Sequence, residues 1–194
     1  MRTMIPMDIP QVHPLSLDRW PDFEALFGKR GACAGCWCMW FRVRAKAFEQ
    51  QKGEGNRIAM RRLVERGEET GLLAYLDGRA IGWISVAPRA RFPRLENSRI
   101  LKPVDDRPVW SIVCLFIQKE FRRRGVSEHL LKAAVDHVKT HGGAIVEGYA
   151  VEPKRGTTAD AFAYPGPVSS YLRAGFQEVA RRSETRPIMR FVIR

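Results

Sequence analysis

The spacing of apolar positions changes character twice within residues 109–143. From Val109 to Ile117 the chain reads VWSIVCLFI, almost continuously apolar and rich in β-branched and aromatic side chains. That is the pattern of a strand buried on both faces. After a short basic loop, apolar residues recur at helical spacing: Val126, Leu130, Ala134 and Val138, with Leu131 and Val135 on the same face. Gly142-Gly143 supplies a C-terminal stop. Ala144 to Val151 is a further apolar strand, so strand, helix and strand form a parallel crossover. Upstream, Gly71–Leu76 and Arg79–Ala87 are two strand patterns joined by the turn dipeptide Asp77-Gly78, with Pro88 closing the pair. Downstream, a short helix over 168–174 precedes two strands, Gln177–Arg182 and Ile188–Ile193.

The first seventy residues read differently. Ile9 to Pro14 has the pattern of a short strand. Asp18 stands where it can cap a helix with the apolar face Trp20, Phe23, Leu26 and Phe27; Pro21 is tolerated in its first turn, and Gly28 ends it. Asn56 stands where it can cap a second helix running to Gly67, with Ala59, Met60, Leu63 and Val64 inward and a solvated face of arginines and Glu65. Between them lies GACAGCWCMWF, residues 31–41, too aromatic for an ordinary surface loop. Its rings either plug the core or line a pocket for a ligand with apolar or planar parts. Trp37, Met39 and Trp40 are the candidates for such a wall. The connection 88–108 is long, and Phe92 and Leu95 indicate that it packs; Asp105-Asp106 ends it just before the central strand. A polar loop over 152–167 contains Tyr164-Pro165-Gly166-Pro167, where Tyr164 is a further candidate for the ligand wall.

Composition narrows the class. A chain of 194 residues that is 45% hydrophobic supports one domain, with 1–70 as an N-terminal helical part and 71–194 as the core. No run of eighteen apolar residues exists, so no membrane partner is expected. The first fourteen residues lack the apolar stretch of a signal peptide, which makes a cytoplasmic protein the default. The formal net charge of +12 suits an anionic ligand or an acidic substrate. Nucleic acid is disfavoured, because the sequence has no recognised nucleic-acid-binding motif. Cys33, Cys36 and Cys38 form Cys-x-x-Cys-x-Cys, but no fourth cysteine or nearby histidine follows, so no metal site is predicted. Cys114, inside the apolar strand, reads as a small hydrophobe.

The sharpest chemical signal is Arg122-Arg123-Arg124-Gly125-Val126-Ser127, between the central strand and its helix. The first N–H groups of a helix have no intrahelical partner, and the dipole adds positive potential there. Arginines supply charge-assisted donors, Gly125 lets the backbone approach a phosphate, and small Ser127 leaves room in the first turn. Ile117 followed by Arg122-x-x-Gly125-x-Ser127 resembles the acyl-CoA-binding motif of the GCN5-related N-acetyltransferase (GNAT) superfamily, with Ser127 in place of the usual Gly or Ala. Tyr171-Leu172-Arg173-Ala174-Gly175-Phe176 is similar to the Tyr-x-x-x-Gly-Phe of the same superfamily.

The resemblance covers roughly residues 71–194. It implies an α/β (α+β) fold: a mixed, largely antiparallel central sheet of about six or seven strands, flanked by helices, with the parallel crossover at its centre. It implies acetyl-CoA as acyl-donor cosubstrate, held by Leu115, Phe116 and Ile117 of the central strand and by Arg122, Arg123, Arg124, Gly125, Val126 and Ser127. The pantetheine arm would bond near Leu115 and Ile117, and an N–H of Leu115 or Phe116 would bind the oxyanion. The implied activity is N-acetyl transfer to an unidentified amine, of a small molecule or a protein, by direct attack. Tyr171 is then the general acid at the CoA sulfur. A glutamate that part of the superfamily carries on the central strand is replaced by Ser111, so the base is open among Glu147, Asp105, Asp106 and a water chain. A homodimer is compatible with the resemblance. The alternatives are an acyl-CoA-binding regulatory module without turnover and, further off, a metal- or nucleic-acid-binding protein.

Overall fold

The computed structural model describes residues 9–152 and 164–194; of the polar loop expected over 152–167, residues 153–163 lie outside it. Seven strands form one mixed sheet: β1 (Gln11–Pro14), β2 (Leu72–Leu76), β3 (Arg79–Pro88), β4 (Trp110–Ile117), β5 (Ile145–Gly148), β6 (Gln177–Arg181) and β7 (Pro187–Val192). Their order is β1-β2-β3-β4-β5-β7-β6, antiparallel throughout except for the parallel β4–β5 pair at the centre. The helices are α1 (Trp20–Phe27), α2 (Ala45–Gln51), α3 (Glu54–Glu65), α4 (Pro93–Glu96), α5 (Val126–Thr140) and α6 (Val168–Arg173). No helix among the described residues is long and apolar enough to cross a membrane.

The β2–β3 hairpin turns at Asp77 and Gly78, both with positive φ (49° and 74°), the geometry whose twist matches that of the flanking strands. α5 crosses one face of the sheet. Its predicted stripe, Val126 to Val138, is buried against Leu72, Ile81, Ile84 and Ile112, and α6 joins it through Tyr171 and Ala174. On the opposite face Trp20, Phe23, Leu26 and Phe27 of α1 and Met60 and Val64 of α3 pack on Leu73 and Trp83. Phe92, Leu95 and Leu101 cover the rest of that face over Ala87, Val113 and Tyr149. The long 88–108 connection therefore packs, as its apolar residues required.

Two local expectations are corrected, and one helix was not foreseen. Asp18 does not cap α1; Arg19 occupies that position, without a side-chain cap bond. Asn56 is not a cap either: α3 starts two residues earlier behind Gly53, and Asn56, fully buried inside the helix, donates from Nδ2 to the Gly35 carbonyl at 2.9 Å. α2 had no sequence signal strong enough to place it; only Phe48 is buried.

Candidate active site

β4 and β5 pair over three positions, ending at Ile112 opposite Gly148, and then diverge. A bulge contributes. β3 pairs Ser85 with Cys114 and Val86 with Ile112, leaving Val113 as the extra residue. Beyond it, the edge of β4 facing away from β3 is open to other partners. Antiparallel pairing alternates the direction of successive N–H groups. The Leu115 N–H points into the gap, which places the Phe116 N–H on the β3 side.

The gap holds the segment that leads into α6. The Leu115 N–H donates to the Tyr164 carbonyl at 2.5 Å, the Val151 N–H donates to the Gly166 carbonyl at 2.9 Å, and Val168 N–H returns a bond to Val151. Tyr171, on α6, is fully buried beside this segment, and its hydroxyl donates to the Pro165 carbonyl at 2.9 Å. Gly148 makes room for it: a Cβ on Gly148 would stand 2.1 Å from Tyr171 Cε1 and 2.7 Å from its hydroxyl oxygen. The phenol therefore sits where β4 and β5 part. Burial pushes its pKa well above the ordinary tyrosine value, with the neighbouring Tyr149 and Cys114 adding to the rise.

At the end of β4 the basic loop turns into α5. Arg122 Nε donates to the Ile117 carbonyl at 3.0 Å, holding the loop against the strand. Arg123 has φ 61° and Gly125 φ 82°, so two left-handed residues turn the chain into the helix, which begins at Val126. Arg123, Arg124 and Gly125 are exposed. They stand beside a depression of about 230 Å³ whose lining includes Arg124, Gly125, Val126, His129 and Lys132. The first turn also carries Glu128, whose charge is met by Lys132 at 2.8 Å and Arg173 at 3.2 Å. Ser127 Oγ lies 3.0 Å from Ser170 Oγ and ties α5 to α6. The loop residues, the Leu115 edge and Tyr171 thus line one continuous stretch of the structure.

The remaining candidates separate. Trp37 and Met39 are buried among Phe23, Phe27 and Trp83, in the core under the sheet. They have no surface to offer a ligand, so the plug reading holds for these two. Trp40 is 37% exposed and lies under the Arg94 guanidinium at 3.7 Å. Phe41 faces Tyr164 with ring centroids 6.4 Å apart, and the Arg186 guanidinium lies over the Tyr164 ring at 5.7 Å. Trp40, Phe41 and Tyr164 are the aromatic residues of this group that reach the surface side.

Glu147 is only 1% exposed, and its Oε1 accepts Arg190 Nε at 2.9 Å and Arg190 Nη2 at 2.5 Å. Arg190 also reaches Asp105 at 2.6 Å. Arg190 and Arg107 hold the Asp105 carboxyl well below the usual carboxylate range. Glu147 and Asp105 are therefore halves of an ion-pair cluster linking β5, β7 and the 88–108 connection. Neither is an open carboxylate awaiting an amine proton, and this removes the reason for assigning Glu147 as the base. Asp106 is exposed.

Sequence reasoning missed two buried polar groupings beside the gap. Tyr149 hydroxyl lies 2.8 Å from Ser111 Oγ and accepts from Arg89 at 2.7 Å; burial raises its pKa to about 12. Cys38 Sγ accepts from Trp83 Nε1 at 3.2 Å. The Cys114 thiol, Trp83 and the Arg42 charge together lower the Cys38 pKa, while the Cys38 contact and burial raise that of Cys114. Cys114 is thus a poor nucleophile. Only the small size of Ser111 in an otherwise apolar strand hinted at the first grouping.

Comparisons with known proteins agree with this geometry. The sequence model of the acetyltransferase (GNAT) family matches residues 37–162. Comparison with curated proteins yields no sequence match. Among solved structures, the chain is similar to PaiA N-acetyltransferase from Thermoplasma acidophilum in complex with coenzyme A (TM-score 0.54, 13% identity, covering 95% of this chain and 99% of that one). It is also similar to a GNAT-family acetyltransferase from Listeria monocytogenes (TM-score 0.56, 11% identity, 95% of each chain). A third is the ribosomal-protein-S5-alanine acetyltransferase of Vibrio fischeri (TM-score 0.54, 12% identity, 97% of this chain and 95% of that one). At such identities these likenesses speak to the fold; with the family match across most of the sequence, the parting of β4 and β5 and the arginine–glycine loop at the start of α5, they show that the chain belongs to the acetyltransferase (GNAT) family.

Proposed function

We propose that the protein transfers the acetyl group of acetyl-CoA to an amine by direct attack within a ternary complex. The observation that carries this reading is the convergence, at one parting of strands, of the Leu115 N–H, the Tyr171 hydroxyl and the basic loop preceding α5. The pyrophosphate takes the N–H groups at the start of α5 with Arg122, Arg123 and Arg124. The pantetheine runs along the edge of β4 that faces away from β3, and the thioester carbonyl at its end takes the Leu115 N–H that the Tyr164 carbonyl otherwise holds.

The amine nitrogen attacks the thioester carbon, the carbonyl oxygen becomes an oxyanion and the C–S bond then breaks. Leu115 N–H is the donor directed at that oxyanion, a preorganised dipole in a water-poor site. The thiolate leaves with a proton from Tyr171. Because burial raises the Tyr171 pKa, the phenol rests protonated across the working range, and the tyrosinate left after it donates regains a proton from solvent. The attacking amine must arrive neutral and loses its proton to water, since Glu147 and Asp105 are held by Arg190. Trp40 and Tyr164 form the acceptor side, so an acceptor with planar or apolar parts next to its amine fits. Holding both reactants in place supplies much of the rate.

One observation favours a binding module without turnover. The Leu115 N–H and the Tyr171 hydroxyl are both satisfied by the chain itself, through Tyr164 and Pro165. The test is calorimetric titration with acetyl-CoA followed by thiol release over a panel of amines. Binding lost in the Arg124→Glu/Gly125→Asp variant, with Tyr171→Phe slowing release, supports the transferase. Binding with no thiol release above the solvent rate for any amine leaves the module reading. No binding by folded wild type overturns both.

A further inference from the structure

At the far end of α5, about 16 Å from its first turn at 1.5 Å per residue, three side chains of ligand type meet. His137 and His141 occupy one face of the last helical turn, with ring centroids 4.2 Å apart. Glu69, in the connection between α3 and β2, reaches both: its Oε2 lies 2.8 Å from His137 Nε2 and its Oε1 3.2 Å from His141 Nε2. Among the described residues this is where three or more His, Cys, Asp or Glu side chains bring their ligand atoms within 4.8 Å of one another; Cys33, Cys36 and Cys38 do not.

The tautomer of His141 decides what this cluster wants. Its Nδ1 lies 2.7 Å from the His137 carbonyl, which can only accept. Thr140 Oγ1, 3.2 Å from the same nitrogen, spends its own proton on that carbonyl at 2.8 Å. Nδ1 therefore carries the hydrogen, and in the neutral ring Nε2 aims its lone pair at a Glu69 oxygen. Two acceptors then face each other, and either a proton or a metal cation between them resolves the conflict. The bond from the outer nitrogen to a backbone carbonyl is also the arrangement that orients a metal-bound histidine.

We propose that Glu69, His137 and His141 bind a late first-row divalent cation, zinc foremost, at a site separate from acetyl transfer. Two imidazoles and a carboxylate suit such an ion better than magnesium or calcium, which favour oxygen ligands. Ligand atoms of a tetrahedral zinc stand about 3.3 Å apart at Zn–N and Zn–O bonds of about 2.0–2.1 Å, so the present separations need only small side-chain rotations. The site has a closed and an open side. The His137 side chain is 8% exposed, whereas Glu69 and His141 are 32% and 42% exposed, leaving the fourth position to water. Trp110 packs on both rings, at 6.0 and 5.9 Å, and Arg42 pins the Glu69 main-chain carbonyl at 3.1 Å. The ion would clip the C-terminal end of α5 to the start of β2.

The test uses full-length protein freed of metal by chelation and titrated with zinc chloride alone, with cobalt(II) as the spectroscopic probe. One equivalent binds, the melting temperature rises, and cobalt gives visible bands without the near-ultraviolet charge transfer of thiolate. His141→Ala and Glu69→Gln, both at surface-reaching positions, each weaken binding at least about tenfold, as loss of one of three ligands requires. Cys33→Ser/Cys36→Ser leaves binding unchanged. The proposal is overturned by no saturable zinc binding in wild type, by undiminished binding in either ligand variant that folds, or by a thiolate signature that disappears with the cysteines.

Discussion

Tyr171 and Gly148 act as one unit. The ring lies where any Cβ on Gly148 would have to go, so Gly148→Ala displaces the phenol from the parting of the strands. We expect a stability loss of about 1–3 kcal/mol from overpacking and a fall in kcat that Tyr171→Phe reproduces without most of that loss. For Tyr171→Phe, kcat should drop by about 100-fold or more with KM little changed, the signature of a lost proton donor. Unchanged kcat in Tyr171→Phe would reduce it to a packing residue. The place of Tyr171 on a short helix ahead of a strand was readable from its motif, because helix and following strand are encoded together over six residues. Glu147 was not: what makes it structural is Arg190, 43 positions away, and a local reading sees only a charge in an apolar strand. Asp105, held by Arg190 and Arg107, has its carboxyl pKa depressed in the folded protein. The stabilisation is therefore present above the ordinary aspartate value of about 3.9 and is lost as pH falls through the lower folded value. Asp105→Asn should melt at lower temperature than wild type at pH 7, with the difference closing below about pH 4; a constant difference across that range would detach the stabilisation from this ionisation.

The element that positions the site is the crossover from β4 through α5 to β5. Its existence follows from local pattern: a continuous apolar run, a left-handed glycine, then a stripe at helical spacing. Gly125 has φ 82° with open space where a side chain would go, so the cost of replacing it is conformational rather than steric. Gly125→Ala should destabilise by about 1 kcal/mol and weaken acetyl-CoA binding modestly. Arg124→Glu should weaken it much more, by charge reversal beside the same helix terminus. Equal effects of the two, measured by titration, would contradict an electrostatic loop. Other elements resisted the same reading for physical reasons. Asn56 precedes an apolar stripe, as a cap would, but its amide is used inside α3 to hold the Gly35 carbonyl. The segment from Gly31 to Cys38 owes its path to left-handed residues that are not all glycine: Ala32, Ala34, Trp37 and Cys38 have positive φ. Such conformations are imposed by packing around Trp37, not by propensity.

Across the whole molecule, the excess of 33 Lys and Arg over 21 Asp and Glu gives a cationic protein that attracts a polyanionic cosubstrate. Between about 0.1 M and 1 M salt the Debye length falls from about 10 Å to about 3 Å, so acetyl-CoA binding should weaken several-fold, with a shallower salt dependence in Arg124→Glu; a salt-independent affinity would exclude charge as a main contributor. The chain by itself determined the order of its strands, the central crossover, the basic turn before α5 and the two motifs that indicate the family, because each is assembled from local patterns no longer than the 15 residues of α5. The tertiary structure alone decided that Trp37 and Met39 are core, that Glu147 and Asp105 share Arg190, that the Tyr164 carbonyl meets the Leu115 N–H, and that Glu69 meets His137, 68 positions away, and His141 beyond it. Periodicity reports which face of an element is buried, whereas the partner of a buried charge or a free N–H depends on how distant segments close over one another.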